Sequence, residues 1–282
     1  MSIKILKYRV NYNCIISFLV VAFIMGLLYL NGNYAPFGDN SLAWADGDIQ
    51  YLDFFAYYQD VLLGKNSLIY TFSKVLGGTN VAAFSYYLAS PFNFLVIFFE
   101  KKDLHIFFNL LILLKLSLAG GTCAYFLNTR FKEFLGKNKC SNFFIILLSI
   151  CYALSQYNIT QSSNIMWLDG VYILPIILLG IYKIIQGEKI WKLSVPVTLS
   201  ILFNWYSGGI NCLFSAFWFL LELFLYMKEK SIYKKTKFLF RIFSRCIISM
   251  IIGVMLIIPG LFEPPVRTLR ATIPENESHI FR

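Results

Sequence analysis

The chain has 282 residues, of which 58% are hydrophobic, 18% are aromatic and only 14% are charged, and its mean hydropathy is +0.64. A soluble globular protein has about 25% charged residues, so this composition excludes a soluble, disordered or collagen-like chain and indicates an integral membrane protein. The net charge of +10 is better explained by the placement of basic residues around a membrane than by nucleic acid, which we do not expect as a partner.

Seven apolar stretches approach the roughly 20 residues that cross a hydrocarbon core. The first of them is interpreted as a retained anchor, because no signal-peptidase site follows it. An eighth stretch, Phe84 to Phe99, is short and contains Pro91 and Asn93, so it could either span the membrane or lie in its interface. The seven stretches lie at about 14–30, 104–127, 143–158, 171–185, 193–206, 211–227 and 245–262.

The distribution of Lys and Arg decides between these two topologies. If Phe84 to Phe99 lies in the interface, most of the 25 Lys and Arg residues fall on the cytoplasmic side, as the positive-inside rule requires. The sequence therefore predicts one transmembrane domain over 1–282, with seven crossings and a cytoplasmic amino terminus. It also predicts a first external loop at 31–103, an external tail at 263–282, and contact between basic residues 228–245 and anionic membrane lipids.

The first external loop collects acidic residues around a predicted helix. From Ile49 to Leu63 the apolar positions recur at helical spacing, which indicates an amphipathic helix on the outer surface. Asp46 and Asp48 are expected just before its start, where a helix amino terminus favours anions. A catalytic or ligand-binding role would explain these acids, and so would a simple N-cap.

Charged residues in or beside the predicted spans are further candidates. Lys115 falls near the middle of the second span, where an ammonium is costly unless it is paired or lies in a wet cavity. We expect a functional or pairing role for it, with a partner that the sequence does not identify. Asp169 enters the fourth span at its external boundary, so it is either part of a site or simply solvated, and Glu222 is expected to reach the cytoplasmic interface.

Two external arginines follow the seventh predicted span. Arg267 and Arg270 are one helical turn apart, a spacing that suits binding of a phosphate by two guanidinium groups. A solvated tail would explain them equally well.

Several short motifs, taken in order, resemble the bacterial YfhO-like membrane proteins, which belong to the wider group of GT-C glycosyltransferases. They run through most of the chain, and no single one is diagnostic by itself. The motifs are Asp48-Ile49-Gln50-Tyr51, Gly77-Gly78, Tyr86-Tyr87-Leu88-Ala89-Ser90-Pro91-Phe92-Asn93, Leu114-Lys115-Leu116, Leu118-Ala119-Gly120, Asn164-Ile165-Met166-Trp167-Leu168-Asp169, Leu174-Pro175 and Asn204-Trp205-Tyr206-Ser207-Gly208-Gly209.

The resemblance implies an all-α polytopic fold with a GT-C-like module of about seven transmembrane helices and two juxtamembrane helices in the first external loop. Ile49 to Leu63 and Phe84 to Phe99 would be those two helices. Asp48 matches the position of the family's catalytic aspartate, with Asp46 as the alternative. The candidates for substrate binding are Asp169, Gln50, Tyr51, Lys115, Arg267 and Arg270.

The resemblance also implies the chemistry. The donor would be a polyprenyl-phosphate-linked sugar and the acceptor a cell-envelope glycopolymer such as lipoteichoic acid, at the external face of a bacterial plasma membrane. The carboxylate of Asp48 would act as general base while the sugar passes through an oxocarbenium-like state, and Arg267 and Arg270 would neutralise the leaving phosphate. No cofactor is expected, and a divalent metal stays unassigned because one D-x-D offers too few ligands.

Two other classes of protein remain open from the sequence. A transporter or flippase of an envelope precursor would explain the spans and Lys115 without using the acidic loop. A non-catalytic membrane subunit would need neither feature. Because members of the family are usually longer, the sequence is expected to be a short relative or part of a longer protein.

Overall fold

The computed structural model describes residues 12–73, 77–131, 139–230 and 236–256, whose regular elements are helices and one small hairpin. The long helices, numbered in chain order with one short helix among them, are α1 (Tyr12–Asn31), α2 (Leu52–Leu62), α3 (Leu104–Arg130), α4 (Lys139–Ala153), α5 (Gln156–Thr160), α6 (Trp167–Ile185), α7 (Trp191–Phe203), α8 (Trp205–Lys230) and α9 (Thr236–Met255).

The segment between α1 and α3 contains the remaining short elements. A π-helical turn, Gly47–Tyr51, runs directly into α2, and an antiparallel hairpin of β1 (Tyr70–Thr71) and β2 (Gly78–Thr79) follows. Short helical segments then lead into α3, namely Val81–Ala83, Phe84–Leu88, Pro91–Phe98 and Lys101–Asp103.

The predicted all-α membrane fold is confirmed, and each of the seven predicted apolar stretches overlaps a helix. Length and composition identify five candidate spans among the described residues: Tyr12–Asn31, Lys101–Arg130, Asn142–Thr160, Trp167–Ile185 and Trp205–Lys228. The apolar helix α7 has 13 residues and is therefore about 20 Å long, shorter than a hydrocarbon core of about 30 Å. Among the described residues, length and composition together thus support five crossings, and the predicted seventh span at 245–262 extends beyond these residues.

Helix α6 is the most deeply enclosed of the candidate spans. It packs against α3, α7 and α8, while α3 also contacts α1 and α4. Glycines allow two of these close approaches, as is typical of helix pairs in membranes. A Cβ on Gly180 would lie 2.7 Å from the carbonyl oxygen of Lys192, and one on Gly170 would lie 2.7 Å from the Cβ of Ser207.

The outer helices present apolar side chains on their exposed faces. Phe23 of α1, Phe143 of α4, Leu213 of α8 and Phe240 of α9 are each more than half exposed. In water such a surface would promote aggregation, whereas in a bilayer it faces lipid tails. The apolar side chains that face lipid therefore help to explain the unusually high apolar content of the sequence.

A single buried side chain fixes the loop that precedes the π-helical turn. The amide of Asn109, on α3, donates to the carbonyl of Ala35 at 2.9 Å and accepts from the backbone N–H of Leu42 at 2.9 Å. The hydroxyl of Tyr29 donates to the backbone carbonyl of Asn109 at 2.8 Å, which ties the end of α1 to the same point. The start of the acidic region is therefore held against α3.

The two predicted juxtamembrane helices are found with altered boundaries. The helix predicted from Ile49 begins at Gly47, so Asp48 lies inside its first turn and not before it as predicted. The helix predicted over Phe84 to Phe99 is divided into two segments at Ser90, because Pro91 lacks an N–H and holds the residue before it in an extended conformation. Neither segment is long enough to cross a membrane.

Candidate functional site

The π-helical turn Gly47–Tyr51 and α2 together form one continuous helix, called the loop helix below. The two acidic residues at its start, Asp46 and Asp48, are both exposed. Asp46 occupies the N-cap position but makes no side-chain capping hydrogen bond, and its backbone is already in the helical region. Among the described residues, neither Asp46 nor Asp48 makes a side-chain hydrogen bond or an ion pair. A capping role therefore does not account for them, and both carboxylates are available to a ligand.

An aromatic cluster lies beside these acids and brings four parts of the chain together. Its members come from the π-helical turn, from the Phe84–Leu88 segment, and from the starts of α6 and α8. The ring centroids of Tyr86 are 4.6 Å from Tyr87 and 5.6 Å from Trp205, and Trp167 Nε1 donates to the Tyr86 hydroxyl at 3.3 Å. The aromatic cluster consists of Tyr51, Tyr86, Tyr87, Trp167, Trp205 and Tyr206.

Asp46 interacts with the aromatic cluster through its charge. Burial raises the pKa of Tyr51 well above its ordinary value, and the nearby Tyr87 and the carboxylate of Asp46 raise it further. The pKa of Tyr87 is raised by burial, by Tyr86 and again by Asp46. The Tyr51 hydroxyl is therefore protonated at neutral pH, and it donates to Asn164 Oδ1 at 3.0 Å. Of the two acids, Asp46 is therefore the one whose charge affects the tyrosines of the cluster.

Asn204 connects α8 to the aromatic segment. Its backbone is extended, which ends α7, and its side-chain oxygen accepts from the backbone N–H of Ser207 at 2.7 Å. This is the usual geometry of an N-cap residue for the following helix. Its amide nitrogen donates to the backbone carbonyl of Tyr86 at 2.7 Å, so the same residue also positions Tyr86 and Tyr87.

Lys115 on α3 and Asp169 on α6 form a buried ion pair. Lys115 Nζ lies 2.7 Å from Asp169 Oδ2 and also donates to the carbonyl of Ile165 at 3.1 Å. The other carboxylate oxygen of Asp169 accepts from Ser90 Oγ and from the Tyr172 hydroxyl, each at 2.7 Å. Both charged side chains are only 1% exposed, so each charge is neutralised inside the protein as burial in a membrane requires.

The structure therefore supplies the partner of Lys115 that the sequence does not identify. Asp169 is enclosed and fully hydrogen bonded, in contrast to the solvated boundary residue that was one expectation. Through Ser90 the pair also fastens the Pro91–Phe98 segment to α3 and α6. Any role of Lys115 or Asp169 in binding substrate stays a prediction.

The predicted site residues fall into three groups. Asp46, Asp48, Gln50 and Tyr51 share one helix start, with Tyr51 in the aromatic cluster and Gln50 lining a separate cavity. Lys115 and Asp169 form the buried ion pair. Residues 164–169 connect this pair to the aromatic cluster, because Asn164 accepts a hydrogen bond from Tyr51. Arg267 and Arg270 lie outside the described residues, together with the rest of the predicted tail 263–282. Residues 1–11 of the amino terminus and residues 231–235 of the predicted basic segment also lie outside them.

A second buried ion pair corrects the prediction for Glu222. Both carboxylate oxygens of Glu222 accept from Arg130 Nε, at 2.8 and 2.9 Å, and the guanidinium lies over the rings of Phe131 and Tyr182. Glu222 is 2% exposed, so it does not reach the interface as expected. Because Arg130 is on α3 and Glu222 is on α8, the ion pair joins these two helices. A buried carboxylate needs such a partner to offset its loss of hydration.

A family model described as bacterial membrane protein YfhO matches residues 17–264. The match includes every predicted site residue except Arg267 and Arg270. No curated protein and no solved structure matches the chain.

Proposed function

The chain belongs to the YfhO family of bacterial membrane proteins, and from this membership we propose that it is a membrane glycosyltransferase of the GT-C type. In this proposal it moves a sugar from a polyprenyl-phosphate donor to a cell-envelope polymer such as lipoteichoic acid. The reaction takes place at the external face of the plasma membrane, with seven crossings, the amino terminus in the cytoplasm and the carboxy terminus outside.

One observation carries the proposal: two exposed carboxylates without a structural partner stand beside an aromatic surface. A general base must be free to accept a proton. Asp46 and Asp48 meet this condition, whereas Asp60 on the same helix is engaged with Lys101 at 2.6 Å. Asp48 lies in the motif that resembles the family, and the charge of Asp46 acts on the pKa values of Tyr51 and Tyr87, so both are tested below.

The proton transfer and the exchange of bonds involve one of these carboxylates and the two substrates. One carboxylate takes the proton of an acceptor hydroxyl while that oxygen bonds to the anomeric carbon, and the bond from this carbon to the lipid phosphate breaks with its electron pair on the phosphate. Tyrosine and tryptophan side chains suit a ligand that is partly apolar and partly wet. The aromatic cluster would therefore hold the donor where its sugar leaves the membrane.

The leaving phosphate needs a positive charge. Lys115 is already neutralised by Asp169, so it does not serve this role while the pair is intact. Arg267 and Arg270 remain the proposed phosphate ligands, and a metal stays unassigned.

A transporter or flippase is the second candidate. The feature of the sequence that favours it is Lys115, a cation placed within a predicted span. The ion pair with Asp169 gives Lys115 a structural explanation and so weakens that interpretation. A non-catalytic membrane subunit is the third candidate, and it predicts that loss of either Asp46 or Asp48 has no effect on envelope chemistry.

Cells that lack the protein provide the test. Wild type, Asp46→Asn, Asp48→Asn and the control Asp39→Asn are each restored at equal membrane abundance, and the sugar content of wall and lipoteichoic polymers is measured. Asp39 is an exposed acid of the same loop that lies outside the proposed site. We expect wild type and Asp39→Asn to restore a missing sugar and at least one of the other two variants to fail. Full restoration by both would contradict the proposal.

A further inference from the structure

A second polar site lies on the loop helix beyond the acids and the aromatic cluster. It is a cavity of about 420 Å³ enclosed by α2, the β-hairpin and the segments Val81–Ala83 and Phe84–Leu88. This volume is within the range of roughly 300–1,000 Å³ that is typical of small-molecule sites. The lining residues are Ile49, Gln50, Asp53, Phe54, Tyr57, Tyr58, Leu68, Thr71, Ser73, Asn80, Ala83, Phe84 and Leu88.

Asn80 is the feature that points to a ligand. It is 8% exposed, and its amide nitrogen Nδ2 is buried without a hydrogen-bond partner among the described residues. Its backbone is held on both sides, because its N–H donates to Ile69 at 2.7 Å and its carbonyl accepts from Phe84 at 2.8 Å. A buried donor without a partner is costly unless something occupies the cavity and accepts from it.

The rest of the lining shows which chemistry fits. Gln50 and Asp53 add amide and carboxylate groups, and Thr71 and Ser73 add hydroxyls, while Phe54, Tyr58 and Phe84 add aromatic surface. Asp53 adds a negative charge to this lining, which disfavours an anionic ligand. A ligand that both donates and accepts hydrogen bonds and has apolar C–H faces matches this lining.

We propose that this cavity binds a neutral saccharide unit, with Asn80 donating to a ring or hydroxyl oxygen and Asp53 accepting from hydroxyl groups. Gln50 and Asp53 lie two and five residues beyond Asp48 on a continuous helix, roughly 3–8 Å along its axis. A sugar held here would therefore lie close to the helix turn that contains the proposed base. Its identification as a substrate of transfer rests on the proposed function, but its binding does not.

Direct binding to the purified full chain in lipid nanodiscs tests the proposal. The probes are the methyl glycosides of glucose, galactose and N-acetylglucosamine, with inorganic phosphate as the anionic comparison, and Kd is obtained by titration in saturation-transfer NMR. We expect at least one glycoside to bind. Asn80→Leu and Asp53→Asn should each weaken that binding about tenfold, as expected for the loss of one hydrogen bond to the ligand.

Matched controls separate this proposal from a general defect. Asp53 is exposed, so Asp53→Asn keeps the fold even if Asn80→Leu does not, and Asp39→Asn should bind as wild type does. Binding of none of the glycosides, binding of phosphate in their place, or unchanged affinity in Asp53→Asn would overturn the saccharide site. If a glycoside binds while both Asp46→Asn and Asp48→Asn still restore envelope glycosylation, the site stands and the transferase proposal fails.

Discussion

The ion pair between Lys115 and Asp169 shows how single residues govern this membrane protein. Each charge is almost completely buried, and among the described residues each is compensated by the other and by neutral groups. Removing one member leaves an uncompensated charge, which typically costs about 3–5 kcal/mol. A loss of activity in a single variant at either position therefore cannot distinguish a transport role from a folding defect.

A double variant resolves this ambiguity. Lys115→Met and Asp169→Asn should each lower the thermal unfolding temperature in detergent, and the combined variant should recover at least half of the larger loss. The reason is that the side-chain amide oxygen introduced by Asp169→Asn would still accept from Ser90 and Tyr172, while no charge remains buried. Losses that simply add in the double variant would contradict the pairing, since independent sites are additive and coupled ones are not.

The sequence predicts part of this residue-level arrangement. It indicates that Lys115 needs a partner, because a cation is placed within an apolar run. It does not identify Asp169, since the two residues lie on different helices and their alignment depends on how α3 and α6 pack. Asn109 and Asn204 are missed for a similar reason: a single Asn in an apolar stretch does not reveal which distant backbone groups it will bind.

Among the elements, the loop helix is predicted well because its apolar positions repeat at helical spacing. Its start is two residues earlier than predicted, at Gly47, where a Cβ would make ordinary contacts of 3.4 Å with Ala43 and Phe108. The second loop helix is predicted as one element and found as two, although Pro91 is visible in the sequence. Ser90, which lies between the two segments, donates a hydrogen bond to Asp169. The sequence does not reveal this contact, because it depends on how distant segments pack.

The contact between α6 and α7 gives a test at the level of helix packing. Gly180→Ala places a methyl group 2.7 Å from the Lys192 carbonyl oxygen, and backbone atoms cannot rotate away, so we expect a loss of about 1–3 kcal/mol in unfolding free energy. Gly26→Ala is the matched control, because nothing lies within 4 Å of its Cβ, and it should be neutral or slightly stabilising. Equal stability of the two variants would contradict the packing described.

At the scale of the whole molecule, composition alone predicts a helical membrane protein, and the family match and the helices agree with it. The number of crossings is less well predicted, because hydropathy identifies apolar runs but not whether a helix as short as α7 reaches across the bilayer. Orientation follows from the basic residues only as an expectation, since no membrane is part of the structure.

Cysteine labelling in intact cells measures the orientation. In a cysteine-free background, Asn66→Cys and Glu188→Cys place single thiols at exposed positions that are separated by three candidate spans. A membrane-impermeant maleimide should label Asn66→Cys and leave Glu188→Cys unlabelled until the cells are permeabilised. Labelling of both in intact cells, or of Glu188→Cys alone, would contradict the predicted topology.

Transfer by the purified protein is the measurement that tests the central claim most directly. The full chain in proteoliposomes is supplied with a radiolabelled polyprenyl-phosphate sugar and lipoteichoic acid, and label in the polymer is followed over time. The account predicts transfer by wild type and by Asp39→Asn, with a loss of at least about 100-fold in Asp46→Asn or Asp48→Asn, as is typical for removal of a general base. Equal transfer by all four proteins, or none by wild type with any donor sugar, would contradict it.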